Sequence, residues 1–369
     1  MKGIVRYILA YALANLMIGI GLVRRAKRKA LSGEHILSIY FHKPTAREFE
    51  DCLLWLKGNG FVFLSTANIY GIAKQEEPFP KGGVVLTVDD GWISNETCIA
   101  DIADKYGVPV TIFVSTGPVE QGNYWWSYIE EGNKRRISKL SIDDLKHVAN
   151  SDRLAMVERL KRRISLPREA MTKEQVQKIS TSPYITIGAH TVTHPILNNC
   201  PDKQVFEELS QSKRKLEQWI GKDVEFFAYP NGDYTAREIL ILYQQSYKLA
   251  FTVHPEFLKP EKLKYTYELP RFEVIEGAPF AEAICRMVGI WEPFMNNVRR
   301  LMTSDRANPR PNLQEQDIRK LYGKSKLGYL KPSTKSGISD ALFLTIMYIF
   351  YKLPDTCRNL YAILLVEEN

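Results

Sequence analysis

The sequence has little that would staple or anchor it. Its five cysteines, Cys52, Cys98, Cys200, Cys285 and Cys357, are odd in number, scattered, and never spaced as CxxC. Neither a disulfide framework nor a cysteine metal site is indicated, and a reducing compartment is the simpler assumption. No short-period internal repeat is visible. The apolar run Tyr7 to Val23 has 17 residues and is interrupted by Asn15, at the short end of the roughly 20 that a spanning helix needs. It ends in "LVRRAKRKA", where a cleaved signal peptide would present a small-residue site.

What is present is a globular composition of 369 residues, 45% hydrophobic and 25% charged, with a formal charge of +8. The basicity belongs to the ends. Residues 1–33 hold Lys2, Arg6, Arg24, Arg25, Lys27, Arg28 and Lys29 and no acid. A second basic stretch covers residues 294–336, while the part between, Glu34 to Pro293, carries more acids than bases. A nucleic-acid-binding core is therefore not expected. Basic ends beside apolar segments suit an anionic membrane surface. We expect residues 1–33 to form a membrane-associated helix, the alternative being a helix packed on the domain. The excess of basic residues after the apolar run points to the cytoplasmic face of the inner membrane. Residues 294–369 read as a basic linker followed by the apolar tail "ALFLTIMYIFY", Ala341 to Tyr351, which is too short to span.

From Ile36 onward β-like and helix-like segments alternate: "HILSIYFH", "TAREFEDCLLWLKGNG", "FVFLS", "VVLTVDD", "NETCIADIADKYG", "PVTIFVST", "ITIGAHT", "KQVFEELSQSKRKLEQWIG", "EFFAYPNG", "AREILILYQQS" and "YKLAFTVH". Repeated β then α predicts an α/β fold with parallel strands, as a barrel or a doubly wound sheet, over residues 34–293. Residues 117–182 interrupt the rhythm with "NYWWSYIEEG" and a charged helical stretch, and read as a helical insertion at the edge of the site.

In such barrels chemistry gathers at the C-terminal ends of strands, and four of these ends carry polar groups. "TVDDG" places Asp89 beside Asp90. Two packed carboxylates drive their pKa values apart, which suits one as a cation ligand and the other as a base; a capped turn is the plainer alternative. "GAHTVTHP" places His190 and His194 on a single turn, a spacing that converges two imidazoles on one metal. "FFAYPNG" forces a tight turn whose N–H can serve as an oxyanion donor or merely connect two elements. "LAFTVHPE" puts His254 at another strand end, where a single histidine is also compatible with a structural role.

Taken together and in order, "TVDDG", "HTVTHP", "FAYPNG", "YKLAFT" and "LPR" resemble the polysaccharide deacetylase family, metal-dependent carbohydrate esterases of the NodB-homology type. The resemblance runs from about Ile36 to Val274. It implies a distorted (β/α)7-type barrel, here with a helical insertion and N- and C-terminal extensions, and a mononuclear site for a divalent metal, usually zinc. Asp89 falls on the family's general base. Asp90, His190 and His194 fall on its metal ligands, and Asn231 on the backbone oxyanion donor. The arginine that orients the base in many relatives is replaced by Ala228, so Arg271 in "ELPRFEV" is the candidate substitute. No Leu-His pair carries the family's late general acid, which leaves His254 and His42 as candidates. Tyr124, Trp125, Trp126 and Tyr229 are candidates for stacking on sugar rings, core packing being the alternative.

The resemblance implies an N-deacetylase acting on an amino sugar of a bacterial surface glycan or its lipid-linked precursor. An inactive glycan-binding or scaffold protein on the same barrel is the alternative. A binder, however, has no need of both a base and a metal triad.

Overall fold

The computed structural model describes residues 2 to 302. The unit that carries the barrel runs from Leu13 to Phe294, and the first twelve residues fall outside it. Eight strands lie in this unit: β1 (Leu37–Phe41), β2 (Val62–Leu64), β3 (Gly83–Val88), β4 (Val110–Val114), β5 (Ile185–Ala189), β6 (Phe226–Ala228), β7 (Leu249–Phe251) and β8 (Phe272–Glu273). All are parallel to their neighbours. The spatial order is β7-β6-β5-β4-β3-β1-β8, with β2 beside the first half of β3. β1, β3, β4, β6 and β7 are buried along their whole length. That is why they read as continuous apolar runs, with crossover helices covering the outer face.

Seven strands thus form the curled path that the resemblance implies, and β2 is an added short one. Its pairing Leu64↔Val85 ends where Leu86↔Val110 begins, so β2 and β4 share one edge of β3. The inner face is filled by Ile36, Val85, Phe113, Phe226, Leu249, Phe251 and Leu269.

Local chemistry fixes the helices. Thr45 and Glu48 form a reciprocal capping box at the start of Ala46–Gly58, which satisfies two otherwise orphaned donors. Helix Asp202–Ile220 stops at Gly221, whose φ of 67° suits glycine. Between β4 and β5 the insertion is helical, as expected, with Trp125–Lys134 and Asn150–Lys161 its two longest helices. They pack through an apolar cluster of their own: Trp125, Ile129, Leu145, Val157, Leu160 and Ile164.

The N-terminal segment differs from the single helix expected. Helices Lys2–Gly19 and Leu22–Leu31 are separated by Gly21 at φ 82° and bent by 63°. Among the described residues no single helix is long and apolar enough to cross a membrane, although this bent pair passes by length and composition. Leu22, Val23, Ala26 and Ala30 are buried, and the Ala30 carbonyl accepts the Gly82 N–H at 2.9 Å. The second helix is therefore part of the barrel unit, which begins before residue 34. At the other end, helix Trp291–Met302 occupies the start of the stretch read as linker. The rest of that stretch and the apolar tail lie outside the described residues.

Candidate active site

The ends of β3 and β5 carry the central residues. Asp90 lies just past β3, His190 just past β5, and His194 one turn later. One ligand atom from each, all buried, falls within 4.8 Å of the others. The backbone is bent to achieve this, with Asp90 at φ 76°, Thr191 at 66° and His194 at 51°. Non-glycine residues in this region carry a strain of about 1–3 kcal/mol each and persist only where surrounding contacts hold them.

Those contacts are visible. The Ser115 N–H donates to the Asp90 carbonyl at 3.1 Å, and its hydroxyl to the His190 carbonyl at 2.7 Å. The buried Glu208 carboxylate accepts the N–H groups of Val192 and Thr193 at 2.7 and 2.8 Å and the Thr193 hydroxyl at 2.6 Å.

The donor set fits a divalent cation. His190 Nδ1 lies 2.7 Å from the Ala228 carbonyl and must donate its proton there, which leaves the Nε2 lone pair facing the site. That Nε2 and the Nε2 of His194 stand 3.5 and 3.3 Å from Asp90 Oδ1, a buried oxygen with no hydrogen-bond partner. An unpartnered buried carboxylate oxygen facing two imidazoles lacks only a positive charge between them. Burial lowers the His194 pKa despite the opposing pull of Asp90, which favours the neutral, ligating form. The other Asp90 oxygen accepts the Trp92 indole N–H at 3.0 Å.

Asp89 serves a different partner. Arg271, immediately before β8, donates from Nη1 to Asp89 Oδ1 and from Nη2 to Oδ2, both at 2.8 Å. The guanidinium is 0% exposed, stacks over the Tyr40 ring at 4.4 Å, and also donates to the Thr252 carbonyl and the Thr87 hydroxyl at 2.9 Å. Burial alone would raise the Asp89 pKa, but Arg271 and His190 outweigh it and hold the carboxylate below its ordinary range. The charge missing at Ala228 therefore reaches Asp89 from Arg271, inside the barrel.

The two candidate acids are placed differently. His42, just past β1, sits 3.1 Å from Glu273 on the adjacent β8. Burial opposes its charged form, yet Glu273, with Asp90 and Asp89 adding to it, pushes the imidazole up to about 10. His254 is exposed, and its ring lies 6.3 Å from that of Tyr234. Among the described residues no hydrogen bond or ion pair joins the His254 ring to the carboxylates.

Of the four aromatics, only Trp126 is partly exposed. It stacks on Tyr124 at 4.7 Å and meets the His194 ring edge-on at 4.8 Å. Tyr229 is corrected as a candidate stacking residue: it is 0% exposed, donates its hydroxyl to the Tyr267 carbonyl at 3.0 Å, and packs on Tyr234 at 4.7 Å. Tyr124 and Trp125 are likewise buried. Asn231 is exposed at φ 56° in the turn Pro230–Gly232 that follows β6. Sequence reasoning missed Trp92, Glu208 and Glu273, whose roles depend on neighbours distant in the chain. The only local signal was the position of Trp92 two residues after Asp90.

A buried carboxylate pair and a convergent Asp-His-His triangle thus lie at the C-terminal ends of the parallel strands. The model of the polysaccharide deacetylase family matches residues 76–250. The Bacillus subtilis (strain 168) protein YxkH, whose name describes a polysaccharide deacetylase, is 22% identical over 209 residues, 57% of this chain and 58% of that protein. The match thus spans less than two thirds of the relative's own length. Two solved structures share the fold, each with 20% identity and a TM-score of 0.51. Streptococcus pyogenes deacetylase PplD in complex with acetate is aligned over 69% of this chain and 97% of its own. IcaB from Ammonifex degensii is aligned over 70% and 97%.

Proposed function

We propose that the protein is a metal-dependent N-deacetylase that removes an acetyl or similar acyl group from an amino sugar of a bacterial surface glycan or its lipid-linked precursor. The observation that carries this reading is the bidentate Arg271–Asp89 pair beside the Asp90-His190-His194 triangle: an ionised base held fixed next to a cation site. A divalent metal, most simply zinc, would be held by Asp90, His190 and His194. When bound it supplies Lewis acidity, lowering the pKa of water and polarising the acyl carbonyl.

The chain's own residues do the rest. Asp89 takes a proton from the attacking water. The backbone N–H of Asn231 is the candidate donor to the developing oxyanion. His42, charged and held by Glu273, returns a proton to the departing amine, in preference to His254. Acetate, bound in the PplD structure, is the product such a reaction releases.

Bound-metal analysis of the purified chain, together with acetate release from a panel of N-acetylated glycans and lipid-linked sugars, tests this reading. A protein that binds no divalent metal and releases no acyl group would instead be a glycan binder. His42→Ala should slow turnover on the order of 10² to 10⁴-fold, and less so for substrates with better leaving groups. His254→Ala should stay near wild type. The reverse ranking would move the acid to His254.

The pH–rate profile follows from the same pair. Asp89 must be ionised, so the rate falls only when pH drops through its lowered pKa. His42 must be protonated, so the alkaline limb begins near its value of about 10 and somewhat lower with a cation bound nearby.

We also propose that the N-terminal helices hold the enzyme at an anionic membrane surface, at the cytoplasmic face of the inner membrane. Helix Lys2–Gly19 exposes Ile4, Tyr7, Ile8 and Tyr11 at helical spacing, and Arg24, Arg25 and Arg28 are exposed on the next helix. Because that helix is packed on the barrel, substitution is a cleaner test than deletion. Changing the three arginines to glutamine together should weaken binding to anionic vesicles by about 3 kcal/mol, on the order of 100-fold. Equal vesicle binding by wild type and variant would remove the proposal.

A further inference from the structure

We infer that the helical insertion between β4 and β5 is what retains the metal, because it supplies the grip on the carbonyl side of His194. The inference rests on the metal-site reading above and extends it to residues that lie outside the triangle.

The ligand loop His190–His194 is held from two directions. The barrel secures its first part: Ser115 binds the His190 carbonyl, Glu208 binds the N–H groups of Val192 and Thr193, and the Thr191 hydroxyl accepts the His194 N–H at 3.1 Å. The carbonyl of His194 has other partners. It accepts the indole Nε1–H of Trp125 at 3.1 Å and an Nη1–H of Arg153 at 3.1 Å. Both donors come from the insertion, from helices Trp125–Lys134 and Asn150–Lys161. Both are buried, at 7% and 1% exposure.

The two donors also hold each other. The Arg153 guanidinium lies over the Trp125 ring at 4.5 Å, and a second guanidinium nitrogen donates to Asn150 Oδ1 at 2.5 Å. Trp126, the neighbour of Trp125, meets the His194 ring edge-on.

His194 needs such a grip. It occupies the left-handed region at φ 51°, a conformation that releases toward ordinary backbone when unrestrained. The next residue is Pro195, which has no N–H and contributes no backbone donor on that side. A carbonyl that accepts two donors, one of them charged, fixes the peptide plane and with it the direction of the imidazole. Trp125 and Arg153 are thus positioning residues for a ligand: they act through His194 and touch neither substrate nor metal.

The test measures metal directly in the full chain, with Zn²⁺ as the probe. Trp125→Phe keeps the ring in the insertion's apolar cluster and removes only the N–H. Arg153→Met keeps length and removes the donors. The Zn²⁺ dissociation constant of each, measured by competition with a chelator, should rise about 10–100-fold, the usual effect of losing a partner behind a ligand. With Zn²⁺ at saturation, turnover should return toward wild type. Arg153→Lys should recover part of the affinity. If either variant unfolds before Zn²⁺ is added, the other decides.

Zn²⁺ affinity equal to wild type in a folded Trp125→Phe and a folded Arg153→Met, even with a lower melting temperature, overturns the inference and leaves the insertion a structural role. A wild-type chain that binds no Zn²⁺ overturns the metal-site reading itself, so the two failures are distinguishable without any substrate.

Discussion

Asp89→Asn should keep the metal and lose the reaction. Asparagine preserves the shape of the side chain and leaves Asp90, His190 and His194 in place, so bound metal should remain near stoichiometric. It cannot accept the proton of the attacking water, and turnover should fall on the order of 10² to 10⁴-fold. Asp90→Ala, by contrast, removes one of three ligands, so metal content and activity should fall together. Metal analysis and single-turnover acetate release on the same preparations separate the two roles. Metal lost from Asp89→Asn but kept by Asp90→Ala would exchange them. Because the Asp89 side chain is 3% exposed and bonded to Arg271 through both oxygens, the variant should also melt at a lower temperature than wild type. The carboxylate is thus part of the packed barrel interior as well as of the site.

Arg271→Met should produce the largest loss of stability. Methionine fits the apolar surroundings of Tyr40, Phe113 and Phe251 but leaves Asp89 buried without a partner. Removing one member of a buried ion pair costs about 3–5 kcal/mol, readable as a shift in the denaturant midpoint.

The sign of the pH dependence should change as well. In the wild type the Asp89 pKa is depressed. Its contribution to stability is present above the unfolded carboxylate value, about 3.9, and is lost as pH falls through the folded value. Without Arg271, burial dominates and raises the pKa. Asp89 then favours folding only while protonated, and stability declines as pH rises through the new value. The acid limb of the pH–rate profile should move upward with it. A variant whose stability and acid limb both match wild type would show that Arg271 has no part in holding the base.

The sequence was sufficient for the parallel α/β class, because strands buried on both faces must be apolar throughout and their helices must alternate with them. For Asp90, His190 and His194 the pointer was the resemblance of the ordered motifs to the deacetylase family; the HxxxH turn is a local pattern that can converge two imidazoles, but its meeting with Asp90 depends on the pairing of β3, β4 and β5. The insertion was legible as a break in the rhythm. Its hold on His194 was not, because Trp125 and Arg153 lie 69 and 41 residues from that carbonyl and nothing in their own neighbourhood marks them.

Arg271 was a candidate from the sequence, but its pairing with Asp89, 182 residues away, was not legible for the same reason. The missing arginine at Ala228 posed the question, and only the closing of β8 against β1 answered it. His42 and His254 looked equivalent as strand-end histidines. Glu273, brought beside His42 by the pairing of β8 with β1, distinguishes them. The 17-residue apolar run at the start suggested one helix, whereas Gly21 in a left-handed conformation and the packing of Leu22, Val23, Ala26 and Ala30 divide it in two. Local spacing specifies which residues can share a turn. Which charge neutralises which is decided by contacts between strands, made only when the sheet curls and brings distant segments to the same end.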